Sequence, residues 1–169
     1  AINGDGRLAV SGSLDKTLKV WDLTTGTPRY TLTGHQDPVE AVAVCHEGNL
    51  AVSGSKEGTV KVWDLDTGKE LYSFWGHKDL IRGVAISDDN TLAVSASWDG
   101  TVKVWDLNTG KERLSFSSAK DSVRDVAISS DGMLAVSGSW EGNVKVWDLT
   151  TGTERFSLTG HKDSVRDVA

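Results

Sequence analysis

The chain has 169 residues, 18 basic and 24 acidic side chains and a formal charge of −6, with both signs interspersed. That balance argues against nucleic acid as the main partner, since phosphate binding needs a concentrated basic surface, and no apolar run approaches the roughly 18 residues of a membrane span. The single Cys45 cannot close an intrachain disulfide and no charged-then-apolar segment opens the chain, so the expectation is a cytoplasmic protein.

Along the chain, residues 17–23 alternate branched apolar side chains with Lys, Trp and Asp, the period-two pattern of a β-strand. The phrase returns at 59–65, 101–107 and 143–149, each time before a Thr-Gly turn. Its tryptophans, Trp21, Trp63, Trp105 and Trp147, are 42 residues apart. Around the second copy the pattern predicts strands at 39–44, 50–55, 60–64 and 71–74, with the next unit opening at 81–86. Turns at 47–49 and 56–58 separate them. No helical period survives for three turns. Pro28 falls in a predicted last strand, where a free edge tolerates a missing N–H, and Pro38 in the loop after it.

Cut at residue 2, the repeats run 2–43, 44–85, 86–127 and 128–169, the last two matching at 29 of 42 positions. Four short strands cannot bury two apolar faces alone, but stacked units can. The matching residues are Gly34-His35, Gly76-His77 and Gly160-His161, the four Trp-Asp pairs, and Ser-Gly-Ser or Ser-Ala-Ser at 11–13, 53–55, 95–97 and 137–139. On these residues the whole chain resembles the WD-repeat family of β-propellers, whose period and Gly-His and Trp-Asp signature it carries. The resemblance implies an all-β fold of four-stranded antiparallel blades.

It also implies a polar network in which a His bonds an acidic residue in the next blade's turn, with a Ser and the Trp completing it. Carried over, His35 joins Ser53, Glu57 and Trp63, and His77 joins Ser95, Asp99 and Trp105. His161 would need Ser11, Asp15 and Trp21, at the other end of a chain. A Ser-His-acid set invites a hydrolase reading. Recurrence once per unit, a Trp N–H donor and no nucleophile elbow favour structure over catalysis. Glu57 and Glu141 replace the usual Asp, and Ser118-Ala119 replaces Gly-His, leaving the unit of Ser137, Glu141 and Trp147 without a histidine. That unit is expected to be the least protected. Three of the four histidines share one repeat position and would sit a blade apart, so no metal is expected. His46 reads as a turn residue, and no cofactor is expected.

Both ends of the sequence fall inside one strand pattern, so residues 163–169 are expected to complete the blade whose remainder is 2–34, in the same or another chain. Small residues on the presumed inner strands, as in Val42-Ala43-Val44, favour a narrow wedge between sheets and many blades. The expectation is a homodimer closing an eight-bladed ring. A portion of a longer repeat array is the alternative.

In this family the turns bearing the acidic and Gly-His residues share one face. Leu14, Lys56, Trp98 and Trp140 fall there at one repeat position, Trp75 precedes a Gly-His, and Arg82, Arg124 and Arg166 open the innermost strands. Trp beside Arg suggests partner binding, although the tryptophans could simply lid a neighbouring blade and Asp125 and Asp167 could pair the arginines next to them. Asp79, Asp121, Asp163, Lys78, Lys120 and Lys162 read as a solvated rim. The functional expectation is a noncatalytic scaffold binding peptides or proteins on this face. The rival is a purely architectural repeat protein, excised or designed, whose main property is self-assembly. The units also resemble those appended to bacterial signalling proteins, which leaves a sensor role open.

Overall fold

The computed structural model describes residues 1–118 and 121–169. The described residues form four antiparallel sheets in sequence order. The first has three strands, β1 (Leu8–Gly12), β2 (Leu18–Asp22) and β3 (Thr27–Leu32), with Ile2 bridged to Ala9 on its inner side. The second runs β4 (Val39–Val44), β5 (Leu50–Ser55), β6 (Thr59–Asp64) and β7 (Lys69–Trp75). The third runs β8 (Ile81–Ile86), β9 (Leu92–Ser97), β10 (Thr101–Asp106) and β11 (Lys111–Ser117). The fourth runs β12 (Val123–Ile128), β13 (Leu134–Ser139), β14 (Val144–Asp148) and β15 (Thr153–Leu158). Among the described residues no helix is long and apolar enough to cross a membrane.

The Trp-Asp pair has a local reason in each unit. Asp64 Oδ1 accepts the N–H groups of Asp66 (2.8 Å) and Thr67 (3.0 Å), and Gly68 closes the turn at φ 70°. Those backbone bonds hold the Asp64 carboxyl below its ordinary range. The register of the hairpin shifts between Val62 and Trp63, a bulge repeated in every outer hairpin. Pro28 sits opposite Trp21 at that bulge, on the outermost strand.

Sheets stack face to face and share a core with each neighbour. Phe74 lies flat on Trp105 of the next sheet with ring centroids 4.8 Å apart, and Phe116 does the same on Trp147. Burying one such ring stabilises by about 1.5–3 kcal/mol, so these contacts add substantially to cohesion between units. On the inner side, a Cβ at Gly12 would lie 2.6 Å from the Val39 side chain of the next sheet, and one at Gly54 would lie 2.3 Å from Ile81. The missing side chains let the inner strands approach closely. The arrangement is propeller-like, with inner strands β4, β8 and β12 side by side.

The two outermost faces of the stack differ from the inner ones. Every residue of β15 is exposed, whereas β7 and β11 each bury a Phe. Residues 163–169 form no strand. They nevertheless lie along the inner side of the fourth sheet, with Val165 N–H donating to Ser139 O at 2.9 Å.

Candidate functional site

In two units the strands carry a buried relay from Trp to carboxylate. Trp63 Nε1–H donates to Ser53 Oγ at 2.8 Å, and Ser53 Oγ lies 2.7 Å from His35 Nε2. His35 Nδ1 meets Glu57 Oε1 at 3.1 Å, while Gln36 N–H donates to Glu57 Oε2 at 2.7 Å. The donor count closes only if the serine hydroxyl donates to Nε2 and the imidazole proton sits on Nδ1. Burial lowers the His35 pKa despite the bond that Nδ1–H donates to Glu57, which favours the neutral ring. Such a serine is spoken for at both ends and buried, so it is no nucleophile awaiting substrate.

His77 repeats the arrangement with Ser95 (2.7 Å), Asp99 (3.2 Å) and Trp105, whose Nε1–H donates to Ser95 Oγ at 2.9 Å. Here the shorter acid gathers more donors. Asp99 accepts Lys78 N–H (2.8 Å), Thr101 N–H (2.9 Å) and the Thr101 hydroxyl (2.6 Å). Burial alone would raise its pKa, but the bonds from His77, Thr101 and Lys78 outweigh it and hold the carboxyl well below its ordinary range. With Glu57 the extra methylene changes the outcome, because the buried Thr59 hydroxyl oxygen finds no partner.

At the outer units the expected sets are not assembled within one chain. Trp21 still donates to Ser11 Oγ at 2.9 Å and Asp15 caps its own turn through Thr17, but Ser11, Asp15 and His161 are all exposed. In the fourth unit Trp147 donates to Ser137 Oγ at 2.9 Å, yet Glu141 is exposed and among the described residues its carboxyl joins no such relay. Asp121 ties the inner-strand loop to this turn instead. It is buried, not part of a solvated rim, and accepts Glu141 N–H (3.0 Å) and Asn143 Nδ2–H (3.2 Å). Sequence held the signal: Asn143 stands where Thr17, Thr59 and Thr101 stand in the other units. Ser118 is buried; Ala119 and Lys120 lie outside the described residues.

The turns after β5, β9 and β13 lie against the starts of their own inner strands through Lys56 N–H to Pro38 O, Trp98 N–H to Leu80 O and Trp140 N–H to Ser122 O. This brings Trp98 and Trp140 edge to face, centroids 6.4 Å apart, with both substantially exposed (38% and 56%). The Arg124 guanidinium lies 4.9 Å from the Trp140 ring centre, and its buried Nε has no partner. Arg82 is bound to Glu40 at 2.9 Å. A cavity of about 590 Å³ is lined by Trp98, Trp140, Leu80, four cations (Lys56, Arg82, Arg124, Arg166) and Glu40. Trp75, also exposed, ends β7 and does not line it.

Deeper on the inner side, the two aspartates do not pair with the arginines beside them in sequence. Asp125 instead meets Asp167 and accepts Val168 N–H at 2.9 Å. Burial, joined by the adjacent Asp167, pushes the Asp125 carboxyl up to about 6. Arg124 stands at the register shift between Val123 and Asp125 and turns onto Trp140 instead of bonding the acid beside it, although both acids and both arginines line one cavity.

The family model for the WD domain, G-beta repeat, matches at residues 1–22, 26–64, 68–106 and 110–148. Among curated proteins, the U3 small nucleolar RNA-associated protein 15 of Schizosaccharomyces pombe is 56% identical over 34 residues, 20% of this chain and 7% of that protein. The mouse dynein assembly factor with WD repeat domains 1 is 44% identical over 43 residues, 25% of this chain and 10% of that protein. The matched stretches thus span a tenth or less of these relatives' lengths.

Proposed function

The chain belongs to the WD-repeat family, and from that premise we propose that it is a noncatalytic scaffold whose turn-bearing face binds protein segments. An apolar side chain of the partner would lie against Trp98 and Trp140, and an acidic group beside it would meet Arg124 and Arg166. The observation that carries this reading is the exposed edge-to-face tryptophan pair with Arg124 stacked on it, above a cavity rich in cations on a chain of net charge −6. Large aromatic and guanidinium groups supply most of the energy at such contacts. Trp75 stands apart and would at most extend the contact.

The test is a peptide array pairing acidic residues with Trp, Leu or Phe, read with the parent and with Trp98→Ala/Trp140→Ala. Both rings are exposed, so the variant should keep its circular dichroism and lose binding by about tenfold or more. Undiminished binding removes the site.

A second reading, an architectural protein that self-assembles, is favoured by the uncovered flanks at the two ends of the stack. The two readings are compatible. We propose that two chains close one eight-bladed ring, in which each split blade, 2–34 of one chain, is completed by 163–169 of the other.

A further inference from the structure

Three inter-sheet junctions inside the chain define what covers each surface, and each end of the stack shows one half of such a junction. At the β15 end, Leu158 is 51% exposed, whereas its counterparts one and two repeats earlier, Phe116 and Phe74, are 6% and 4% exposed beneath Trp147 and Trp105. At the other end Leu23 is 44% exposed, whereas Leu65 is fully buried and Leu149 nearly so. The turn glycines Gly68, Gly110 and Gly152 lie under Tyr30, Tyr72 and Leu114 of the preceding sheet, but Gly26 faces nothing within 4 Å. The residue one repeat beyond Leu114 is the exposed Phe156.

The backbone shows the same complementarity. Val165 N–H bonds Ser139 O as Val39 N–H bonds Ser13 O, and Val165 and Val168 cover Gly138 as Val39 and Val42 cover Gly12. Residues 163–169 therefore already sit where an inner strand sits, yet they pair with no strand on their outward edge among the described residues. The inner edge of β1 is met at Leu8, Ala9 and Val10 by Asn3, Ile2 and Ala1, and among the described residues no strand pairs with Ser11 and Gly12 on that edge. Unpaired edges of this kind take up a strand.

We infer that the open flank of β1 and β2 receives β15 and residues 163–168 of a second copy, as a strand added in register at an inter-blade junction and ending where Ala1 already meets Val10. This rests on the two-chain ring proposed above and specifies its contacts. Internal pairings fix the register: Val39 opposite Ser55 and Val42 opposite Ser53 become Val165 opposite Ser13 and Val168 opposite Ser11. Leu158 then covers Trp21, Phe156 lies on Gly26, and His161 reaches Ser11 Oγ and Asp15, completing the relay that neither end holds alone. The occupant is a second copy because this chain itself carries the complementary half, the exposed β15 and the segment after it, whose side chains match what covers the equivalent internal flanks. A twofold arrangement makes the junction twice and leaves no flank open.

The experiment combines light-scattering mass with directed cross-linking. In a Cys45→Ser background, a serine already standing at the matching positions 87 and 129, one chain carries Ser13→Cys and another Val165→Cys. Mixed and mildly oxidised, they should give the mixed disulfide in preference to either homodimer. The parent should show a two-chain mass, and Leu158→Glu should shift it to the single-chain 18.1 kDa with unchanged circular dichroism. A single-chain mass for the parent overturns the ring and the inference together. A two-chain mass that survives Leu158→Glu without the mixed disulfide overturns this junction and assigns the dimer to another surface. Masses above two chains overturn closure in two steps.

Discussion

Replacing Glu57 by Asp should stabilise the protein, an unusual direction for a change in a buried network. Glu57 satisfies His35 Nδ1 and Gln36 N–H but strands the Thr59 hydroxyl, whose residue is fully buried. At the equivalent place one repeat on, Asp99 satisfies the corresponding His and backbone N–H and also takes the Thr101 N–H and hydroxyl at 2.9 and 2.6 Å. A stranded buried polar group costs about 1–3 kcal/mol, and a bond to a charged acceptor returns about 1.5–3 kcal/mol. The shorter side chain must draw His35 inward by part of an ångström, which consumes some of that gain. A net stabilisation of about 1–2 kcal/mol is therefore expected for Glu57→Asp, and a loss of similar size for Asp99→Glu. Urea unfolding measures both, with amide exchange at β6 and β10 locating the effect, because stacked units need not unfold as one. A neutral or destabilising Glu57→Asp, or an Asp99→Glu without cost, would refute the assignment of the Thr59 defect to the extra methylene.

The serines of the relay should grade by partner number. Ser95→Ala orphans both Trp105 Nε1–H and His77 Nε2, whereas Ser137→Ala orphans only Trp147 Nε1–H. Losses of about 2–5 and about 1–3 kcal/mol are expected, and equal losses in urea unfolding would contradict the relay. The Asp125 carboxyl should titrate near pH 6 by side-chain NMR, and Asp167→Asn should lower that midpoint by removing the facing carboxyl. Because the fold binds this proton more tightly than the unfolded chain, its contribution to stability is complete below pH 3.8 and is lost as pH rises to about 6. Asp125→Asn should flatten that slope. His35 acts in the opposite sense: held neutral by burial, it withdraws stability as pH falls below 6.5.

Much of the architecture was legible because each unit repeats the same local instructions. The alternation around Val62-Trp63 and the Asp64 turn announces a hairpin, and strands predicted at 39–44, 50–55 and 81–86 coincide with β4, β5 and β8. Pro28 fell on the outer strand for the reason sequence supplies, a donor that an edge does not need. The misses involve residues whose partners come from another unit. Asp121 looked like a rim acid because its neighbours are Lys120 and Ser122. Its partners, Glu141 N–H and Asn143, lie a hairpin away. Asp125 and Asp167 looked like partners for the arginines beside them and instead face each other across 42 residues.

Repetition itself sets this limit. Ser11 and Ser53 carry the same motif, and each accepts a Trp N–H, yet one is exposed and the other fully buried. The difference lies in whether a neighbouring sheet stands over them, not in any residue within the unit. A consensus position therefore states what a side chain is able to do, and the stack decides whether it does so. Positions where one copy departs from the others carry the complementary information. Asn143 marks a network rebuilt around Asp121, Pro28 removes the carboxylate that binds Lys61 and Lys103 in the next two units, leaving Lys19 on Thr31, and Trp98 and Trp140 replace Leu14 and Lys56 beside Arg124. The first two departures change contacts within a sheet or its turns and are structural. The tryptophans fill no void in the core and stand exposed above a cationic cavity. That contrast is why the binding proposal rests on them and not on the more conspicuous Ser-His-acid sets.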